Sequence, residues 1–224
     1  MTARHVVVTG AGRGIGHELA RQYLAAGWRV TVGARRPETL DLPPAVVRHP
    51  LDVEDPEAIA AFAAAVAEPI DVLVNNAGLF GPRPQTTADV EADLWRRIFT
   101  VNTIAPVLLA RALLDHVAAS ERRVLATITS RMGSFAANTD GAAPMYRASK
   151  AAVNMAMQCL ALEVAARGVG VLLVHPGWVR TAMGTAAADL DVRESAAGVR
   201  AVVDGFAASE GLAFRAWDGR DLPW

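Results

Sequence analysis

Tyr146 and Lys150 stand four residues apart in the run YRASK, a phenol ahead of an ammonium group. On a helix this spacing puts both side chains on one face. A free tyrosine has a pKa of about 10, too high for ready proton exchange near neutrality. A nearby ammonium stabilises the phenolate and lowers that value, towards the range in which a general acid/base works best. Lysine's compact head has three rotatable donors, enough to face the phenol and bond ligand hydroxyls together. Arginine's planar fork suits that double task less well. Composition sets this lysine apart: among 22 Lys+Arg residues Lys150 is the only lysine, and Tyr23 and Tyr146 are the only tyrosines. Two upstream serines, Ser130 and Ser134, offer hydroxyls that could join the pair.

A second constellation lies near the start. After the apolar run HVVVT comes TGAGRGIG, Thr9 to Gly16. The pattern G-x-G-x-x-G does not fit, because from Gly10 or Gly12 its last position falls on Ile15 or His17. The spacing present is G-x-x-x-G-x-G, with Gly10, Gly14 and Gly16. Glycines there permit a tight turn and close backbone approach to a pyrophosphate seated at the positive end of the following helix. An acid at the end of the second strand would hold a ribose 2′-hydroxyl and repel a 2′-phosphate. Arg35 and Arg36 stand there instead, with Arg13 inside the glycine turn. Three guanidiniums can converge on a phosphate dianion, so the reading favours NADP(H) over NAD(H).

The elements that must position these groups alternate along the chain. Residues 5–9, 29–34, 45–51, 71–76, 123–129 and 170–176 are short and almost wholly apolar, as parallel strands covered on both faces are. Residues 16–27, 55–68, 93–120 and 146–168 have apolar residues at helical spacing. Asp55 and Pro56 supply an N-cap and a first-turn proline, while Gly27 and Gly168 stop their helices. The expected fold is α/β, one doubly wound Rossmann-type domain over residues 1–224, its parallel sheet covered by helices on both faces.

Composition narrows the partners. The net charge of −1 gives no field that would draw nucleic acid or an anionic membrane. No apolar run approaches the roughly 18 residues of a membrane span, and the N-terminus does not read as a signal peptide, so the expected address is the cytoplasm. The single cysteine, Cys159, excludes an intramolecular disulfide and reads as a small buried hydrophobe. None of the five histidines clusters with other ligands at metal spacing, and His175, ending an apolar strand, reads as a hydrogen-bonded structural residue. No G-x-S-x-G elbow supports serine hydrolysis.

TGxxxGIG at Thr9–Gly16, NNAG at Asn75–Gly78, Val101–Asn102, YRASK and HPGWVRT at His175–Thr181 occur in an order that resembles the short-chain dehydrogenase/reductase family. YRASKAAVNM, HPGWVRTAMG and the closing DGRDLPW are similar, more narrowly, to the Sniffer-type carbonyl reductase and C-factor-like subgroup. The resemblance implies reduction of a ketone, aldehyde or quinone to the alcohol by hydride transfer from NADPH, with Tyr146 as general acid/base. It implies a serine bonding the carbonyl oxygen, and Asn102 anchoring a water that links Lys150 to solvent. Counting residues does not choose the serine. Ser130 is chosen because it follows the fifth strand at its carboxyl edge, the NTDG run at Asn138–Gly141 reading as a turn inserted in the loop. Ser134 is then left close enough to line the substrate cleft.

Cofactor contacts carried over by the same resemblance are Ile15, Asp52, Val53, Asn76, Ala77, Gly78, Pro176, Gly177, Val179 and Thr181, together with Tyr146 and Lys150. Asp52 could equally cap the next helix, and Asn75 resembles a sheet-stabilising position. Phe80, Phe135, Trp178 and Met183 are candidate apolar walls for an open cleft. A homo-oligomer, dimer or tetramer, is implied for assembly. C-factor-like relatives leave a second reading: an NADP(H)-sensing regulatory or signalling protein without turnover.

Overall fold

The computed structural model describes residues 3–224. Its strands are β1 (His5–Thr9), β2 (Arg29–Ala34), β3 (Val47–Pro50), β4 (Val72–Asn75), β5 (Val124–Ile128), β6 (Gly170–His175) and β7 (Leu212–Ala216). Between them lie α1 (Gly14–Ala25), α2 (Pro56–Ala65), α3 (Ala92–Phe99), α4 (Ala105–Ala112), α5 (Leu114–Ala118), α6 (Pro144–Val164) and α7 (Val192–Gly205). The strands form one parallel sheet in the order β3-β2-β1-β4-β5-β6-β7.

The apolar strand runs follow from burial on both faces. Val6, Val8, Val72, Val74 and Val124 pack towards Leu19 and Tyr23 of α1 and Val199 and Val203 of α7. Their alternates Val7, Leu73, Leu125 and Leu173 pack towards Phe62 of α2, Leu109 of α4 and Val153 and Met157 of α6. Each fully buried side chain of this kind contributes about 1.5–3 kcal/mol relative to exposure. As expected, Asp55 accepts from Glu57 N at 2.9 Å and Pro56 opens α2. Gly27, at φ +80°, follows α1, and Gly168, at φ +67°, ends the turn after α6.

The chain steps outwards from β1 to β2 and β3, then returns with β4 on the other side of β1. Ligands bind open α/β sheets at such a reversal, outside the carboxyl ends of the strands. Gly10 sits at this point with φ +68°, and a Cβ on it would stand 2.7 Å from the Ala77 Cα. Only glycine lets the two loops meet so closely.

The fold departs from the sequence reading in three places. Residues 93–120 are not one helix: α3 passes through a π-helical turn, Thr100–Ile104, into α4, and a further break precedes α5. Pro106 has no N–H for the carbonyl of Asn102 four residues before it, so regular α pairing fails there. The seventh strand, β7, has no counterpart among the expected elements. It is an edge strand in which only Phe214 and Ala216 are buried, covered by the returning tail through Leu222 N to Phe214 O at 2.8 Å. Cys159 is exposed rather than buried. Val153, Met157, Leu160 and Val164 occupy the inner face of α6, which turns Met155, Cys159 and Leu162 outwards. No helix among the described residues is long and apolar enough to cross a membrane.

Candidate active site

A cleft of about 750 Å³ opens along the carboxyl edge of the sheet. It begins at Arg35 and Arg36 beyond β2 and passes Asp52 and Val53 beyond β3. Gly10, Arg13, Gly14 and Ile15 form its floor with Asn76, Ala77 and Gly78, and it closes on Tyr146, Lys150, Pro176 and Thr181. Residues spread over most of the chain are thus brought to one groove. Three expected contacts lie behind the wall instead. A Cβ on Gly16 would meet Asn76 Nδ2 at 2.3 Å, so this glycine seats α1 against the NNAG loop. Gly177 is backed by Leu190 and Trp217, and Val179 is buried and bridged to Leu190.

Local structure suits an anion at the open end. The N-cap residue of α1, Arg13, makes no side-chain hydrogen bond to the first turn, leaving the backbone N–H groups of that turn for a ligand. Arg13, Arg35 and Arg36 are exposed, and none of their guanidiniums has an ion-pair partner among the described residues. Asn76 binds the glycine turn itself, donating Nδ2 to Thr9 O and Gly10 O at 3.0 and 3.2 Å. Asn75 donates to Pro106 O at 3.1 Å, tying β4 to α4. The cap of α2 is Asp55, and Asp52 accepts from Glu54 N at 3.0 Å at the cleft wall.

At the other end, Tyr146 and Lys150 are both buried on one face of α6, with Nζ 5.8 Å from the phenol ring centre. Lys150 Nζ donates to Ile128 O at 2.9 Å, which fixes the ammonium at the end of β5. Burial pushes the Lys150 pKa down to about 8. Burial likewise pushes Tyr146 up to about 12, against the pull of a hydrogen bond from Ser130 and the charge of Arg83. The expected lowering by Lys150 does not appear in this structure: burial is the largest influence on the phenol, and the ammonium is turned to a carbonyl. The phenol is a protonated acid at neutral pH.

Ser130 adjoins that phenol. Its Oγ accepts from Met132 N at 3.1 Å, which leaves its own O–H to donate to the phenol. Gly133 then lets the turn lie flat on α6, since a Cβ would stand 2.7 Å from the Lys150 carbonyl carbon. Ser134 is buried, with Oγ accepting from Ala137 N at 3.1 Å, and neither it nor Ser130, which reaches the site beside the phenol, is among the residues that line the cleft. The NTDG run is a turn, with Asn138 Oδ1 accepting from Gly141 N at 3.2 Å. Asn102 is fully buried in the π turn. Its Oδ1 accepts from Leu79 N at 2.8 Å, while Nδ2 donates to Leu79 O at 2.8 Å and Ser149 Oγ at 2.9 Å.

Of the four expected apolar walls, the Phe80 ring lies on Tyr146 with centroids 4.7 Å apart, and Met183 lines the cleft. Phe135 and Trp178 are exposed at 85% and 48%. His175 differs from expectation: its Nδ1 is buried without a hydrogen-bond partner, and burial holds its pKa at about 4, so the ring is neutral. Arg180, Leu40 and Arg97 also line the cleft and were missed. Arg180 falls inside HPGWVRT, so its motif was in view. Arg97 reaches the site only through a two-point pairing with Glu54 across 43 residues, which no local pattern announces.

C-signal of Myxococcus xanthus is 41% identical over 165 residues, 73% of this chain and 99% of that protein. The carbonyl reductase Sniffer of D. melanogaster superposes with a TM-score of 0.92 at 26% identity, covering 99% of this chain and 100% of that one. An NADPH-bound carbonyl reductase from chicken fatty liver superposes at 0.90 with 31% identity, covering both chains fully. The sequence matches the short chain dehydrogenase family over residues 4–191, and with the parallel sheet and the groove at its carboxyl edge this chain belongs to that family.

Proposed function

We propose that this protein reduces a ketone, aldehyde or quinone to the alcohol with NADPH, Tyr146 delivering the proton. The observation that carries the reading is one groove with a buried, protonated phenol beside Ser130 and Lys150 at its closed end and three unpaired arginines at its open end. The carbonyl reductases among its structural neighbours support it.

The residues present fit a phosphorylated dinucleotide. The uncapped first turn of α1 would hold the pyrophosphate, and Arg13, Arg35 and Arg36 would hold the 2′-phosphate, which an acid in their place would repel. When bound, the reduced nicotinamide supplies the hydride. Tyr146 Oη gives its proton to the carbonyl oxygen as that oxygen gains charge. Ser130 Oγ donates to the same oxygen and orients it, its lone pair being engaged by Met132 N. Lys150 Nζ, bonded to Ile128 O, keeps further N–H groups for ribose hydroxyls and the phenol. Asn102 holds both backbone groups of Leu79 and so fixes the wall that Gly78 and Leu79 form. Pro106 has no N–H to give the Asn102 carbonyl, which makes that oxygen our candidate to hold a relay water.

The strip Met155, Cys159 and Leu162 on α6 supports association between copies of the chain. Similarity to C-signal favours, as a second reading, an NADP(H)-binding signalling protein. A panel of ketones, aldehydes and quinones with NADPH and NADH, followed by nicotinamide absorbance, separates the two. Turnover with NADPH supports the reductase; tight NADPH binding with no compound reduced supports the sensor.

A further inference from the structure

The loop that follows NNAG is built to hold one cation beside the phenol. Gln85, buried, donates Nε2 to Phe80 O at 2.7 Å and Pro82 O at 3.0 Å, drawing the loop into a closed turn. Its backbone carbonyl accepts from Ala143 N at 3.2 Å, which ties the turn to the start of α6 one residue before Pro144. Phe80 is thereby laid on the Tyr146 ring, and the Arg83 guanidinium lies over the Phe80 ring, 3.8 Å from its centroid. Arg83 Nη2 donates to Met183 O at 2.5 Å, across 100 residues of chain, so the loop is joined to the opposite lip of the cleft.

Arg83 has no carboxylate partner among the described residues. Its bond to Met183 uses one of five donors, and Nε and Nη1 have none. A guanidinium held in place by a ring stack and a backbone carbonyl, with its remaining fork unpaired, matches the planar geometry of a carboxylate. The same charge already acts on the Tyr146 phenol.

Resting on the reductase reading above, we propose that Arg83 selects the substrate class: carbonyl compounds that also bear a carboxylate, which the Arg83 fork holds while the carbonyl oxygen faces Tyr146 and Ser130. Arg83 is a specificity-determining residue, and neutral carbonyl compounds are the weaker substrates.

The test compares 4-carboxybenzaldehyde and 4-oxopentanoate, each beside its methyl ester, with NADPH. The parent should show kcat/KM at least about tenfold higher for the acid of one or both pairs, the low end of what a hydrogen bond to a charged group supplies. Arg83→Gln should bring the acid-to-ester ratio near one, Arg83→Lys should retain part of it, and added salt should reduce it because Arg83 is exposed. Reduction of acids and esters at equal kcat/KM would overturn the inference and leave the reductase reading standing. If none of the four is reduced, the protein with NADP bound is titrated with 4-(hydroxymethyl)benzoate and its methyl ester by calorimetry. Tighter binding of the acid, lost in Arg83→Gln, supports the carboxylate site; equal affinities overturn it.

Discussion

Replacing Asn102 with alanine tests how the site is held. The side chain is fully buried and makes three hydrogen bonds, two of them to the N–H and C=O of Leu79. Alanine strands both Leu79 groups. Ser149 Oγ loses a donor but keeps its own bond to Tyr146 O at 2.8 Å. A stranded buried donor or acceptor costs about 1–3 kcal/mol. Leu79 is only half-buried and water can meet part of the need, so the expected loss is about 2–4 kcal/mol. For a chain of this length 1 kcal/mol moves Tm by about 2–4 °C, so Asn102→Ala should melt roughly 5–15 °C lower by circular dichroism. Asn102→Asp should do no better, since a carboxylate oxygen would replace the donor facing Leu79 O. Because Leu79 leads into Phe80, which lies on Tyr146, kcat should fall in both variants. An alanine variant melting within about 2 °C of the parent would refute the account of Asn102 as the anchor of this wall.

Changing Arg35 and Arg36 together to alanine should weaken NADPH by about tenfold or more while NADH affinity changes little; fluorescence titration giving equal losses would sink the cofactor assignment. Ser130→Ala should lower kcat by about 10²-fold or more, whereas Ser134→Ala should chiefly lower Tm through its lost bond to Ala137 N; a larger kcat loss at Ser134 would reverse the two roles. Lys150, with its pKa down at about 8 from 10.5, binds its proton less readily folded than unfolded. Between those values the native state therefore gains stability as pH rises, and the gain is lost as pH falls towards 8. Denaturant midpoints across that window should climb more steeply in the parent than in Lys150→Met, and parallel curves would contradict this.

The parallel strands were legible because β1, β4, β5 and β6 are apolar on both faces, leaving no competing helical period. The Tyr146–Lys150 pair was legible because a helix converts a four-residue spacing directly into a shared face. Other features depend on contacts that no local pattern contains. β7 carries Arg215 as the fourth of its five residues, paired with Glu210 and Asp221, and its alternation is too short to stand out. Cys159 lies on a helix apolar on several sides, so the phase that exposes it is set by what α6 packs against. The break at Thr100–Ile104 had a signal in Pro106, four residues after Asn102, that the apolar period obscured. Ser130 was reached from its place at a strand end, while the different task of Ser134 rests on a bond to Ala137 N. Arg83 gave no signal, since its position depends on Gln85, Phe80 and Met183 together.

The central claim is that the Tyr146 phenol delivers the proton. Tyr146→Phe keeps the ring that packs on Phe80 and removes only the hydroxyl. Measured with NADPH and a carbonyl compound that the parent reduces, its turnover should fall by about 10²–10⁴-fold, with the NADPH dissociation constant within about threefold of the parent. A phenylalanine variant that reduces the compound as fast as the parent would contradict the account.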